Sequence, residues 1–358
     1  MKDLLENKVF RICLVSVVVI IIIMLLIALF VGNTSKVITE YSLVNAAKKY
    51  YENNSYLLPK EKYDSTTVSL PTLVSTGYIN EKSEGSTCPS YVTVTNLGST
   101  YDYNAVLMCN NSNTPNITLM NKLLTNNVTS GSGLYNMNGS YIFRGENPNN
   151  YVKLGNLKWR VMSIEGTSIK LVYDDILYAG FFNPWDDRYN KDLNEQRGIN
   201  DYVTSEKSRL KEYLDNFLSM DINGEVFNGK FLSLLTKHSV CTGKVNIENG
   251  SNNACSNTLD NERVSTITVN DYINTSLDSS CSFTNSINCQ NYNFLSKYGW
   301  TINANSSNSY EAYYIDEEEG LKTAYTSLPM PVRPVITIKN NVIYVSGSGT
   351  ELDPYIVK

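Results

Sequence analysis

A single histidine, His238, bounds the acid–base and metal chemistry open to this chain of 358 residues. Zinc and iron sites usually draw on two or more imidazoles, and a nucleophile–His–acid hydrolase would have to use this one ring. It lies in Lys237-His238-Ser239-Val240-Cys241. Neighbours in sequence rarely aim at one point, and no Gly-x-Ser-x-Gly elbow is present to expose a serine. The expectation is a polar surface or loop histidine, no catalytic residue and no enzymatic activity. The other concentration of chemistry is acidic: Asp174, Asp175, Asp186, Asp187 and Asp192, interleaved with Tyr178, Phe181, Phe182, Trp185 and Tyr189. Clustered carboxylates suit Ca²⁺, and aromatic rings can stack on sugars. Trp185, Asp186, Asp187 and Tyr189 are therefore the candidate ligand-binding residues. No EF-hand spacing or other metal motif supports Ca²⁺, so no metal ligand and no cofactor are assigned. Glu317-Glu318-Glu319-Gly320 reads as a solvated turn.

The composition narrows the partners. The chain is 42% hydrophobic and 18% charged with a net charge of −5, which is neither a disordered polyelectrolyte nor a surface able to neutralise phosphates, so nucleic acid is excluded. Residues 12–31, ICLVSVVVIIIIMLLIALFV, carry no charge and no proline. At about 1.5 Å per residue this run covers the roughly 30 Å core of a bilayer. It exceeds the apolar core of a signal peptide, and Ala28-Leu29-Phe30 is a poor cleavage site. The reading is a retained transmembrane helix with the lipid bilayer as its partner. Lys2, Lys8 and Arg11 precede the run and only Lys36 follows closely, which places residues 1–11 in the cytoplasm and the rest outside.

Cysteine usage agrees with that topology. Of seven cysteines, Cys13 lies in the apolar run, and the other six are Cys88, Cys109, Cys241, Cys255, Cys281 and Cys289. No C-x-x-C pair suggests zinc or redox chemistry. An even set outside the membrane suggests disulfides, and proximity favours 88–109, 241–255 and 281–289 among the connectivities open to six cysteines. Each would stabilise Asn/Ser-rich loops by roughly 2–4 kcal/mol.

These groups must be positioned by elements with recognisable patterns. A helix over 34–60 is expected, with Val37, Tyr41, Val44, Ala47 and Tyr51 on one face and Pro59 as its stop. A β-rich stretch follows: Val68 to Val74, then Tyr91 to Val94 and Tyr101 to Leu107. The polar region 113–133 reads as a linker with a brief helix at Leu119–Leu124. Beyond it, Leu157–Val161 and Ser168–Tyr173 form a hairpin. A helix capped by Thr204 or Ser205 buries Leu210, Tyr213, Leu214 and Phe217. Ser265–Val269, Trp300–Ile302 and Val332–Ile338 read as strands. Arg333 is expected to fix a strand end by an ion pair.

The Ala46-Ala47-Lys48-Lys49-Tyr50-Tyr51 helix running on from the apolar segment resembles type IV pilins and pseudopilins, as does Leu73-Val74-Ser75-Thr76-Gly77-Tyr78-Ile79 before a Cys-closed sheet. The run lacks the pilin processing site and its early glutamate. Trp159-Arg160-Val161, Ser208 to Phe217, Ile267 to Tyr272, Tyr298-Gly299-Trp300-Thr301 and Val332-Arg333-Pro334-Val335-Ile336 resemble, in order and spacing, an uncharacterised domain of Gram-positive bacterial surface proteins. That domain has a fold like the C-type lectins and formylglycine-generating enzymes. Taken with the apolar run, the charge bias and the polar linker, the resemblances imply an α+β chain: cytoplasmic 1–11, membrane helix 12–31, pilin-like helix and small sheet 34–112, linker 113–133, a lectin-like domain with a mainly antiparallel sheet 134–339, and a C-terminal hairpin 340–358. The expected function is binding or adhesion at the cell surface to an extracellular glycan or protein. The alternative is a minor pilin-like subunit of a filament or secretion system, and an extracellular enzyme is a third reading.

Overall fold

The computed structural model describes residues 37–358 except 81, 82, 84, 110–115, 176–182, 196, 205 and 223, with the backbone alone at 225 and 226. The run 12–31, and with it the expected membrane helix, lies outside the described residues. Among those described, no helix is long and apolar enough to cross a membrane. The fold is α+β with mostly antiparallel strands. It comprises two compact units. The first takes the chain to Leu57 with Thr67–Val92 and Ala105–Thr114, and the second takes Leu58–Thr66, Thr93–Asn104 and Pro115–Lys358.

The first unit is built on helix α1 (Glu40–Asn53), which starts at a reciprocal cap between Thr39 and Ser42. Its buried residues are Leu43, Ala46, Ala47 and Tyr51, whereas Val37 and Tyr41 are 50% and 77% exposed. The buried stripe is thus rotated by about one residue from the expected one. Strand β1 (Ser65–Ser69) leads into a short helix α2 (Leu70–Ser75) where an extended segment was expected. Ser69 caps it and Pro71 sits in its first turn, and these two local preferences outweigh the alternation. Strands β1, β2 (Tyr91–Asn96) and β3 (Tyr101–Val106), whose residues are divided between the two units, form a sheet in that order. Cys88–Cys109 is a disulfide.

The longest part of the second unit, from Pro115 on, opens with segments read from sequence as a linker. Helix α3 (Leu119–Leu124) is instead part of its core: Leu119 and Leu123 are fully buried, and the Leu119 amide donates to Val342 O at 2.8 Å. Then follow β4 (Gly133–Met137), β5 (Ser140–Arg144), β6 (Tyr151–Leu154), β7 (Leu157–Glu165) and β8 (Ser168–Tyr173). Helices α4 (Arg209–Asn216) and α5 (Gly229–Leu234) come next, then β9 (Leu235–Thr236), β10 (His238–Cys241), β11 (Thr258–Glu262), β12 (Val264–Thr266), helix α6 (Val269–Thr275), β13 (Gly299–Ala304), β14 (Glu311–Asp316), β15 (Gly320–Tyr325), β16 (Pro334–Lys339), β17 (Tyr344–Ser346) and β18 (Tyr355–Val357). A ten-stranded sheet has the spine β9-β16-β8-β7-β6-β18-β17, joined at its sides by β12, β5 and β4. The expected hairpin β7–β8 forms, with Arg160 opposite Val172. The C-terminal hairpin β17–β18 joins the same sheet, since β18 runs parallel to β6. Strands β13, β14 and β15 make a second, three-stranded sheet.

Periodicity explains the core. Helix α4 is capped by Ser208 and buries Leu210, Tyr213 and Leu214, and Trp159 is fully enclosed with ring centroids of Tyr173, Phe217 and Phe231 within 6.4 Å. Thr268 caps α6 through a reciprocal bond with Asp271, which stops the strand expected through Val269 at Thr266.

Much of the second unit is irregular backbone, whose amides and carbonyls need partners once buried. Buried asparagines supply them. Asn200 Nδ2 lies 2.8 Å from the carbonyls of Asn305, Asn308 and Glu311. Asn293 Nδ2 donates to Tyr272 O and Cys289 O, while its Oδ1 accepts from Leu295 N. Asn303 Nδ2 donates to Cys241 O and Gly243 O, at 3.3 and 3.0 Å, and its Oδ1 accepts from Val269 N. The disulfides Cys241–Cys255 and Cys281–Cys289 close two of the loops so held. An unpartnered buried polar group costs about 1–3 kcal/mol. Replacing Asn303 by Ala, which strands three backbone groups, is expected to destabilise by about 3 kcal/mol in urea titration. Asn252→Ala, at an exposed amide, should stay within about 0.5 kcal/mol.

Candidate functional site

The acidic and aromatic residues singled out from sequence divide into scaffold and surface. Trp185 is fully buried, its Nε1 donating to Thr301 O at 3.1 Å and its ring 5.8 Å from that of Tyr202. Asp186 is also fully buried. Its Oδ1 accepts from the amides of Arg188 and Ile199, and its Oδ2 from Arg188 Nε at 2.7 Å. Burial pushes its carboxyl up, against these donors. Arg188 reaches on to Asp201 O and Glu206 O, so the Asp186–Arg188 pair is the clasp of the 186–206 loop. Gly198, at φ +77°, is required here because a Cβ would overlap Asp186 O. Burial therefore corrects the sequence expectation for two residues: the Trp185 ring offers no open face to a sugar, and the Asp186 oxygens are already taken. Asp187 is exposed and pairs with Arg209 at 2.8 Å. Tyr189 is 49% exposed, its hydroxyl on Asn194 Oδ1. Among the described residues no cluster of His, Cys, Asp and Glu could hold a metal ion. Asp174, Asp186 and Asp187 each face a cation of the chain itself.

Behind Trp185 lies a cleft of about 370 Å³. Residues 200–204, the 242–244 segment after β10, the 253–257 loop, and Ala304 and Ser306 at the end of β13 surround it. The Cys241–Cys255 bridge ties two of these walls. So do Thr242 N to Asn257 O at 2.8 Å and Gly243 N to Ala254 O at 2.7 Å. Gly243 permits the approach, since a Cβ would overlap Asn253 O. Asn200 pins the β13–β14 loop and presents Oδ1 to Lys244 Nζ at 2.6 Å. Lys244 is exposed along its length, yet burial of its amine lowers the pKa, with Asp201 opposing. Asp201 Oδ1 caps Thr204 N, and Asn257 Nδ2 reaches Thr242 Oγ1. The cleft thus offers an ammonium, a carboxylate, amides and hydroxyls. Four distant segments supply these groups. The only local sign was the density of Asn and Ser between Cys241 and Cys255.

Two further charged groups differ from expectation. Arg333 makes no ion pair among the described residues. It is buried, with Nε and Nη1 on the carbonyls of Tyr173 and Leu295. Burial lowers its pKa to about 10, with Asp174 opposing. Arg160, equally enclosed, rests on the rings of Tyr151 and Phe294, at 4.2 and 4.6 Å. His238 is half-buried on β10. Its Nε2 lies 2.9 Å from Ser265 Oγ, and Ser265 is fully buried. The half-buried pair Lys170–Asp271 lies nearby.

No family model, curated protein or solved structure matches the chain.

Burial, helped by Lys170, lowers the His238 pKa to about 4. The unfolded ring titrates near 6.5. The unfolded state therefore binds more protons between about 4 and 6.5, and stability falls as pH drops through that window. Between pH 7 and pH 4.5 the wild-type chain should lose about 2 kcal/mol more than His238→Gln, measured by urea titration at the two pH values.

Proposed function

We propose that this is a membrane-tethered surface protein whose second unit binds a hydroxyl-rich ligand, a glycan, in the cleft bounded by Asn200, Asp201, Thr242, Lys244 and Asn257. One observation carries the reading. A cleft of about 370 Å³ is walled by polar side chains of types that exchange hydrogen bonds with sugar hydroxyls, and it is held open by a disulfide and by pinned amides. Such a site binds without chemistry of its own: polar groups fix orientation within a concave, preformed wall. The uninterrupted apolar run 12–31 supports the tether, and Lys2, Lys8 and Arg11 before it support a cytoplasmic N-terminus. Three disulfides support an oxidising location for the remainder. The pilin-like and lectin-like architectures belong to this reading as proposals resting on the motifs quoted above.

A second reading, a filament or secretion-system subunit, draws on one feature of the first unit. Val37 and Tyr41 stand exposed at the start of α1, an apolar pair that a neighbouring copy could cover.

The test is a glycan array probed with the full chain in lipid nanodiscs. Lys244→Ala and Asn257→Ala should each weaken binding by about tenfold, the loss of one or two good hydrogen bonds, without lowering thermal stability. A captured glycan that both variants bind as tightly as the wild type would move the ligand elsewhere, and silence across the array would favour the filament reading.

A further inference from the structure

The second unit contains another cavity, of about 350 Å³, lined by the β6–β7 turn, helix α5 and the terminal strand β18. Its walls are apolar: Leu154, Leu157, Phe227, Phe231, Leu234 and Val357. The Phe227 and Phe231 rings lie 4.5 Å apart and pack on towards Phe217. Polarity enters through Asn228, Lys153 and Lys230. Asn228 Oδ1 is committed to capping α5 through Phe231 N. The two lysines are different. Among the described residues neither makes an ion pair. Lys153 stands opposite Lys158 across the β6–β7 ladder, and Lys158 is itself engaged with Glu351. On the other side, Asp102 packs on Gly229 and takes an amide hydrogen from Asn104.

We propose that this cavity binds a straight-chain fatty carboxylate, its hydrocarbon tail against the leucine and phenylalanine walls and its head group between Lys153 and Lys230. The walls choose among occupants. A peptide segment would bring amide hydrogens into a space whose one neutral side-chain acceptor, Asn228 Oδ1, is already bonded, and those amides would be left unpaired against the apolar walls. An acyl chain brings none. A neutral hydrocarbon would leave the two lysines of the lining without a counter-charge, whereas a carboxylate gives both a charge-assisted partner. The site is separate from the polar cleft and does not depend on the glycan reading.

The experiment uses the full chain in lipid nanodiscs and a diazirine-bearing laurate as the photo-probe, with the labelled residues mapped by peptide mass spectrometry. Label is expected within Leu154–Leu157 and Phe227–Leu234. Laurate should compete about tenfold better than dodecanol, the worth of a charge-assisted contact. Competition should strengthen by roughly fourfold per added methylene from octanoate until the cavity is filled. The double variant Lys153→Glu/Lys230→Glu, at one half-buried and one exposed side chain, should erase the advantage of laurate over dodecanol while leaving competition by dodecanol intact. Val357→Trp should remove labelling by filling the space. Label mapping elsewhere or nowhere, equal competition by laurate and dodecanol, a charge-reversed variant labelled like the wild type, or displacement by phosphatidylglycerol but by no fatty acid would each overturn the proposal.

Discussion

The hydrogen bond from a buried asparagine amide to a main-chain carbonyl holds the second unit together where regular structure does not. A sheet or helix satisfies its own backbone. The long irregular stretches around 186–206, 242–257, 285–298 and 305–310 cannot. Enclosing them against the β13–β14–β15 sheet would strand many amides and carbonyls. Asn190, Asn200, Asn246, Asn293, Asn303 and Asn305 are all at most 8% exposed, and each turns its amide on groups of another stretch or of its own turn. The side chain suits this task because one planar group both donates and accepts. Asn303 shows the use: it holds two carbonyls of the segment after β10 and the first amide of α6 at once.

The same bonds shape the polar cleft. Asn200 joins the 200–204 loop to the β13–β14 loop and fixes the Lys244 amine. Cys241–Cys255 sets the opposite wall, and Asp186 with Arg188 clasps the loop beneath. A ligand meeting these groups finds them already ordered, which reduces the entropy lost on binding. The buried cations follow a related logic. Arg160 bonds to the Asn150 side chain and lies over the Tyr151 and Phe294 rings, and Arg333 bonds to the carbonyls of Tyr173 and Leu295, so both join segments without a direct carboxylate partner among the described residues.

Elements governed by nearby residues were legible in the sequence. The β2–β3 and β7–β8 pairs, the Leu210-Tyr213-Leu214 stripe of α4 and the three cysteine pairs all follow from patterns within about twenty residues. Failures came where two local signals competed. Ser69 and Pro71 start a helix inside an alternating run, and Thr268 with Asp271 starts another at a strand end. Residues 116–133 are polar by composition, yet Leu119 and Leu123 suffice to anchor them in the core. Trp185 and Asp186 carried the right chemistry in the wrong place, because exposure depends on the Thr301 carbonyl and the Arg188 side chain they meet. Lys244 and Asn200 gave no sign at all. They are 44 residues apart, and no periodicity joins them.

Backbone hydrogen exchange resolved to single residues is the most direct measure of whether side-chain amides hold the irregular segments as firmly as sheet bonds hold strands. The amides of Gly243, Val245, Val269, Leu295 and Asn305 are expected to exchange with protection comparable to the β7–β8 ladder, opening only with the unit as a whole. Exchange of these amides at rates typical of exposed loops, with the sheet still protected, would contradict this expectation.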